Sequence, residues 1–329
     1  MSIGLGYHIP YFNHTATPGE LFPALAAQAA AAEAAGFDLV TTMDHFHQPP
    51  LVGPSTGPML EAYTLLGALA AVTSRVRLGT MVTGNTYRNP ALLAKMVTTL
   101  DVISGGRALL GLGAGWHEEE HRGYGFEFGT LVDRFGRLAE SLEIVLPMLR
   151  GERPVFHGRF HRAEGAINEP RMRDDLPLLI GGGGEKRTFG LAARHASHLN
   201  IICPTAELPR KMAAVRARCA EVGRDPATLE VSFATPLILD EDGDRARKLL
   251  EEVLGRAGVE LSQLSGAERE AATDRFFAGT PEEVAERLRD RVLGLGVTGL
   301  MVNMLANAHD PAAIALAGRT LRPLVGAAV

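Results

Sequence analysis

The sequence predicts an α/β fold, a (β/α)8 TIM barrel with insertions, formed by one domain over residues 1–329. Short apolar runs alternate along the chain with longer runs rich in Ala, Leu, Glu and Arg, which indicates repeated βα units and a parallel sheet. Eight such units can be counted, whereas a doubly wound sheet usually has about five or six strands. The length of 329 residues accommodates eight units together with additional segments.

The predicted strands are short and apolar, and most end in polar residues or glycine. They are IGLGYHI (3–9), FDLVTTMDH (37–45), VRLGTMVTG (76–84), RALLGLGAG (107–115), LPLLIGGGG (176–184), HLNIIC (198–203), LEVSFATPLIL (229–239) and GLMVNML (299–305). In a TIM barrel the active site is built at the carboxyl ends of the strands and in the loops that follow them. Functional residues are therefore expected at the polar strand ends.

A helix is predicted after most of these strands. The first begins after Pro18 and ends at Gly36, and the third begins at Pro90, where a missing N–H costs little. The remaining helices are predicted over 60–73, 90–104, 132–151, 185–195, about 206–222, 281–294 and 310–324. Two segments lack the strand–helix rhythm. Residues 151–175 are rich in Arg, Gly, His and Pro, residues 240–279 are charged with helical character, and both are interpreted as insertions in a single domain.

Composition and charge exclude several classes of function. A net charge of −5 argues against a nucleic-acid-binding surface. The N-terminal segment does not resemble a secretory signal, and no apolar run reaches the ~18 residues of a membrane span, so a cytoplasmic protein is expected. The only two cysteines, Cys203 and Cys219, predict free structural thiols rather than a disulfide framework or a thiolate metal cluster.

The stretch GAGWHEEEHRGYG (113–125) contains an H-E-x-x-H pattern formed by His117, Glu118 and His121. In zinc hydrolases two such histidines bind the metal and the glutamate acts as general base. The further histidine of the extended pattern is absent, and Glu140 is a poor third ligand because it is predicted on a separate helix. The sequence therefore disfavours a zinc site and favours a solvated acidic first turn of a helix, since glutamates suit the positive end of a helix dipole.

Two other strand ends have residues suited to binding or chemistry. IGGGGEKR (180–187) places four glycines, Lys186 and Arg187 between a strand and a helix, where backbone N–H groups approach an anion closely. Because this loop follows the fifth strand, a flavin-type phosphate fits better than a dinucleotide, and a tight βα turn is the alternative. Asp44 and His45 close the second strand, either as a structural pair or as functional residues on the catalytic face.

Three stretches together resemble the bacterial luciferase-like superfamily, and in particular its F420-dependent oxidoreductase branch. They are TTMDHF (41–46), RVRLGTMVTGNTYRNPALLAKMVTTLDVISGGRALLGLGAGWHEEEHRGYG (75–125) and LLIGGGGEKRTFGLAARHASHLN (178–200). The resemblance extends over most of residues 1–235. It implies a bacterial luciferase-like TIM barrel, commonly a homodimer, that binds the deazaflavin coenzyme F420, or alternatively FMN, in the barrel mouth.

The resemblance also implies roles for individual residues. His45 is expected to be catalytic, in proton transfer or as an electrophile, because a neutral imidazole can donate or accept near pH 7. Met81–Val82 is expected to form a bulge, often with a non-prolyl cis peptide bond, behind the ring of the cofactor. No metal ligand is expected. The expected cofactor-binding residues are Asp44, Thr80, Met81, Val82, Ala114, Gly115, Trp116, His117, Gly182, Gly183, Gly184 and Lys186.

The implied function is hydride transfer between coenzyme F420 and a small organic substrate that the sequence does not identify. One alternative is an FMN-dependent luciferase-like monooxygenase that uses oxygen and takes reduced flavin from a separate reductase. Another is a cofactor-free barrel, because ASHLN (196–200) departs from the common pattern of the family. A small-molecule substrate and a second copy of the chain are the expected partners, and neither nucleic acid nor a membrane is expected.

Overall fold

The computed structural model describes residues 3–13, 17–50 and 52–326. The residues between and beyond these ranges, which include both ends of the predicted domain, lie outside the description. The strands are β1 (Leu5–His8), β2 (Leu39–Thr42), β3 (Arg77–Thr80), β4 (Thr83–Gly84), β5 (Ala108–Gly113), β6 (Val155–His157), β7 (Arg162–Glu164), β8 (Leu178–Gly181), β9 (His198–Ile201), β10 (Glu230–Leu239), β11 (Phe277–Gly279) and β12 (Gly299–Asn303).

Eight of these strands form a closed parallel barrel, which confirms the predicted (β/α)8 fold class. The strand order is β12-β1-β2-β3-β5-β8-β9-β10, and β10 pairs with β12 to close the ring. Inside the barrel, Leu39, Leu109 and Leu179 are fully buried and form one apolar cluster with residues from β10 and β12. A larger apolar core fills the space between the barrel and the helices. All eight carboxyl ends therefore open on one face.

The helices lie close to their predicted positions, and the capping residues explain several of their bounds. Asn89 accepts hydrogen bonds from the N–H groups of Ala91 and Leu92 at the start of the third helix, and Gly105 ends it with φ 68°. The helices are α1 (Pro18–Ala34), α2 (Ala62–Val72), α3 (Pro90–Ser104), α4 (Glu118–Tyr124), α5 (Leu131–Leu149), α6 (Arg187–His195), α7 (Leu208–Glu221), α8 (Gly243–Arg256), α9 (Gly266–Thr273), α10 (Pro281–Arg291) and α11 (Pro311–Leu321).

The single strand predicted over 76–84 is wrong, because the structure divides it into β3 and β4. The division occurs at the Met81–Val82 peptide bond, which is cis. β4 then pairs with β5, whereas β3 pairs with both β2 and β5. Beside the division, Gly111 cannot be replaced without rearrangement, because a Cβ atom there would lie 1.9 Å from the carbonyl oxygen of Thr80.

The two segments interpreted as insertions contain additional strands and helices. Within 151–175, β6 and β7 form a separate antiparallel hairpin. Within 240–279, α8 and α9 confirm the helical prediction, but β11 was not predicted and pairs with the end of β10. In the ranges that the structure describes, none of the helices combines the length and the apolar composition that crossing a membrane requires.

Candidate active site

A cavity of about 500 Å³ opens at the carboxyl ends of the barrel strands. Its lining is mainly apolar and glycine-rich. Most of the predicted site residues line it, namely Asp44, His45, Met81, Val82, Ala114, Gly115, Trp116, Gly182, Gly183 and Gly184. The structure does not place Thr80, His117 or Lys186 in this lining. The structure thus brings most of the predicted site residues together at one mouth of the barrel, and the other three lie outside the cavity lining.

The Met81–Val82 segment forms one wall of the cavity, and the expected cis peptide bond is present there. Val82 packs tightly against two glycines. A Cβ atom on Gly113 would lie 2.6 Å from the side chain of Val82, and one on Gly181 would lie 2.8 Å from it. These glycines therefore allow the bulge to sit flat against the ends of β5 and β8. Thr80 lies behind the bulge, fully buried, with its hydroxyl 2.6 Å from that of Thr83.

Asp44 is buried at the end of β2 and forms a two-point ion pair with Arg88. The two nitrogen–oxygen distances are 2.7 and 2.9 Å, and the Gly84 N–H donates a third hydrogen bond at 3.1 Å. Burial raises the pKa of Asp44, and the guanidinium of Arg88 opposes that rise. Arg88 also contacts Glu61 at 2.5 Å. Both oxygens of Asp44 are therefore engaged by the protein, and this residue holds the β2 and β4 loops together.

His45 is held from behind by Glu120, a fully buried carboxylate on α4. The His45 Nδ1 lies 2.6 Å from Glu120 Oε1, and Tyr87 donates its hydroxyl hydrogen to the same oxygen. The N–H groups of Phe46 and His47 donate to Oε2 at 2.7 and 3.2 Å. Burial acts to raise the pKa of Glu120, but these donors outweigh it and lower the pKa to about 2. Glu120 is ionised at neutral pH.

Aromatic rings surround the open side of His45. Its ring centroid lies 5.3 Å from that of Trp116 and 5.7 Å from that of His117, and these two rings stack on each other at 4.9 Å. Trp116 is 58% exposed at the cavity entrance. His117 precedes α4, and its buried Nε2 has no hydrogen-bond partner within the described part of the chain. It lines a neighbouring cavity of about 700 Å³ instead of the first one.

The H-E-x-x-H stretch begins a helix, as expected, but the interpretation of a wholly solvated acidic turn is wrong. Glu118 and Glu119 are exposed, whereas Glu120 and His121 are fully buried because they face the barrel. Both ring nitrogens of His121 are engaged, with Thr86 Oγ1 and with the His117 carbonyl oxygen, each at 2.7 Å. Over the described ranges, no cluster of three His, Cys, Asp or Glu residues suited to a metal ion is found.

The glycine loop lies between β8 and α6 at the edge of the cavity. Gly182 has φ 139°, a conformation that favours glycine, and its N–H donates to the Asn200 carbonyl oxygen at 3.0 Å. Lys211, from α7, donates to the Gly183 carbonyl oxygen at 2.8 Å. Thr188 lines the cavity from the first turn of α6. Lys186 occupies the position before α6, and the lysine that contacts the loop is Lys211.

With this geometry established, comparison with known proteins gives the family. The family model described as luciferase-like monooxygenase matches residues 3–299. The chain belongs to the luciferase-like monooxygenase family.

The relatives of this luciferase-like chain and the solved structures similar to it include F420-dependent enzymes. An F420-dependent glucose-6-phosphate dehydrogenase from Nakamurella multipartita is 31% identical over an alignment of 337 positions that covers 97% of each protein. One of the same name from Segniliparus rotundus is 32% identical over 220 positions, 64% of this chain and 63% of the relative. The solved structure of an F420-dependent secondary alcohol dehydrogenase, in complex with an F420–acetone adduct, superposes with a TM-score of 0.81 at 22% identity. The superposition covers 99% of this chain and 100% of the dehydrogenase chain.

The sequence-based set of site residues omitted several residues around the site of this luciferase-like chain, among them Glu120, Tyr87, Arg88 and Lys211. A signal was available for Glu120, because residues three and four positions after His117 lie on the same helix face as His117. That periodicity places Glu120 and His121 together and leaves Glu118 on the solvent side. No comparable signal existed for Lys211, whose contact joins segments 28 residues apart.

Proposed function

We propose that this luciferase-like chain is an F420-dependent oxidoreductase that transfers a hydride between coenzyme F420 and a small organic substrate. The observation that carries the proposal is the cavity at the barrel mouth, which combines a mainly apolar lining with a glycine loop and a histidine. Two relatives with F420-dependent activity in their names, one of which aligns over 97% of this chain, support the choice of F420. The substrate stays unidentified.

The residues present fit a flat heteroaromatic ring with an attached phosphate. Val82 and the adjacent glycines offer a smooth apolar wall, and Ala234 and Ile202 extend the apolar lining. At the edge, the N–H groups of Gly183 and Gly184 have no partner within the described ranges, so they are available to an anion. Since nearby Lys211 is paired with the loop carbonyl, we assign it the role of holding the loop rather than of binding the phosphate itself.

When bound, F420 supplies the two-electron chemistry, since a deazaflavin accepts or releases a hydride. The contribution of the chain is to bind, orient and move a proton. We propose that Met81 and Val82 support the face of the ring and that Ala114, Gly115 and Trp116 contact its edge. We assign the proton transfer to His45. The roles of Asp44, Thr80, His117 and Lys186 in binding stay predictions, and the contacts of Asp44 with Arg88 favour a structural role for it.

A titration tests the proposal. Purified protein is titrated with oxidised F420 and, separately, with FMN while cofactor fluorescence is followed, and the zinc content of the same sample is measured. Saturable F420 binding with weaker FMN binding supports the proposal. Preference for FMN would favour a flavin-dependent monooxygenase, and binding of neither would favour a cofactor-free barrel. One zinc per chain would overturn the proposal in favour of a hydrolase.

We also propose that the chain forms a homodimer through α2 and α3. Several large apolar side chains on these two helices are solvent-exposed, and an exposed apolar surface is typical of an interaction site. They are Val72, Leu92, Val102 and Ile103. Light scattering on the purified protein is expected to give twice the mass of 35.1 kDa, and replacing Ile103 with Glu is expected to give the monomer mass. A monomer in the unmodified protein would contradict this expectation.

A further inference from the structure

Glu120 accepts four hydrogen bonds, and they divide equally between its two oxygens. Oε2 accepts from the backbone N–H groups of Phe46 and His47, which have a fixed direction. Oε1 accepts from His45 Nδ1 and from the Tyr87 hydroxyl, two groups whose hydrogens can be rearranged. One oxygen therefore fixes the loop after β2, and the other faces only groups that can adapt.

This arrangement determines which nitrogen of His45 carries hydrogen. An ionised carboxylate only accepts hydrogen bonds, so Nδ1 must be the donor in the 2.6 Å contact. In the neutral imidazole the other nitrogen then has no hydrogen and is an acceptor. Within the described ranges Nε2 has no hydrogen-bond partner, and the His45 ring lines the cavity. The bare nitrogen is thus available to a ligand in the cavity.

We propose that Glu120 is a positioning residue that fixes His45 in the tautomer with hydrogen on Nδ1 and so presents an unprotonated Nε2 to the cavity. The structural part of this inference stands on the contacts of the chain alone, while its chemical purpose rests on the proposed oxidoreductase function. An acceptor at Nε2 favours a ligand that offers a hydroxyl or N–H group at that point. Tyr87 donates to the same carboxylate oxygen and helps to hold it beside His45.

The two oxygens make Glu120→Gln an informative substitution. The amide oxygen of the glutamine must replace Oε2, because two fixed backbone donors face that position and an amide NH₂ would repel them. The NH₂ group then faces His45 Nδ1, which becomes the acceptor, and the hydrogen moves to Nε2. The variant keeps the loop contacts and is expected to fold, yet it reverses the tautomer of His45.

Nitrogen NMR measures this reversal without any cofactor. The protein is labelled with ¹⁵N-histidine, and the His45 signals are identified among 11 histidines by their loss in His45→Gln. At pH 8 the unmodified protein is expected to show hydrogen on Nδ1, and Glu120→Gln is expected to show it on Nε2. The matched control is Glu118→Gln, an exposed neighbour on the same helix, which should leave the His45 signals unchanged. The same tautomer in Glu120→Gln and in the unmodified protein would overturn the proposal.

Turnover of F420 with 2-propanol as the probe substrate, the alcohol that corresponds to the acetone of the F420–acetone adduct, tests the chemical purpose separately. We expect Glu120→Gln to lower kcat about 100-fold and to change its pH profile, with little change in F420 affinity, because general acid–base catalysis contributes about 100-fold or more. Glu118→Gln should retain full activity. A reversed tautomer with unchanged kcat would overturn the catalytic purpose. If the unmodified protein fails to bind F420, the proposed function fails while the NMR result still decides the role of Glu120.

Discussion

Replacement of Arg88 with methionine should destabilise the fold strongly, because it leaves the Asp44 carboxylate buried without its opposite charge. The side chains of Arg88 and Asp44 are only 9% and 1% exposed, and two hydrogen bonds join them. Removing one partner of a buried ion pair typically costs about 3–5 kcal/mol. The Gly84 N–H is the one remaining described donor to Asp44, and a single N–H does not replace a guanidinium.

The loss should also depend on pH in a definite direction. Burial already raises the pKa of Asp44, and removing Arg88 removes the positive charge that opposes this rise. A carboxyl group whose folded pKa lies above its unfolded pKa loses its stabilising contribution as pH rises through the folded value. The destabilisation of Arg88→Met is therefore expected to be greatest at neutral and alkaline pH and to shrink towards acidic pH, where Asp44 binds a proton.

Urea unfolding followed by circular dichroism at pH 8 and pH 5 measures both effects. The matched control is Arg150→Met, which removes an exposed arginine paired with Glu152 and is expected to leave the midpoint unchanged. A loss of less than about 1 kcal/mol for Arg88→Met would show that the pair is as weak as a surface ion pair. An equal loss at both pH values would show that Asp44 does not respond to the loss of its partner, and would refute the electrostatic argument.

Three further outcomes are expected. Gly183→Asp should weaken F420 binding about tenfold or more, because it places a carboxylate beside the phosphate of the cofactor. The control Gly266→Asp makes the same charge change at an exposed, remote position and should leave F420 affinity unchanged. Equal affinities for the two variants would remove the phosphate assignment. Gly111→Ala should lower the free energy of unfolding measured in urea by about 1–3 kcal/mol, because the new Cβ atom meets the backbone of Thr80. An unchanged free energy of unfolding would show that the strands can separate freely. Burial acts to raise the pKa of Glu33, but three backbone N–H donors lower it to about 2, so its stabilising contribution is present above its ordinary value of 4.5 and is lost as pH falls towards 2. Glu33→Gln should therefore lose less stability over this acidic range than the unmodified protein, and parallel unfolding curves would contradict the assignment.

The barrel could be predicted from the sequence because its determinants are local. Apolar runs, alanine-rich helices and residues such as Pro90 and Gly105 act within a few positions of the chain, and α3 has the predicted bounds. The break between β3 and β4 was not predicted from residue patterns, since VRLGTMVTG reads as one continuous strand. The family resemblance, and not the physical pattern, led to the expectation of a cis bond at Met81–Val82.

The contacts that orient the site could not be predicted in the same way. Arg88 reaches Asp44 across 44 positions, and Glu120 reaches His45 across 75. Charged residues at such positions look solvent-exposed in sequence, because most charged residues are. Helical periodicity in HEEEH could have indicated an inward-facing Glu120, but its partner depends on how α4 packs on the β2 loop, which a single sequence does not specify.

The loop after β2 is held by two oppositely charged side chains from different parts of the barrel mouth. Arg88 binds Asp44 from the loop before α3, and Glu120 binds His45 from α4, so two adjacent residues on the catalytic face are fixed by separate ion pairs or hydrogen bonds. Arg88 on the loop before α3 and Glu120 on α4 together restrict the rotation of the His45 backbone as well as its ring. Both oxygens of Asp44 are thus engaged by the protein, whereas one ring nitrogen of His45 has no hydrogen-bond partner in the described part of the chain.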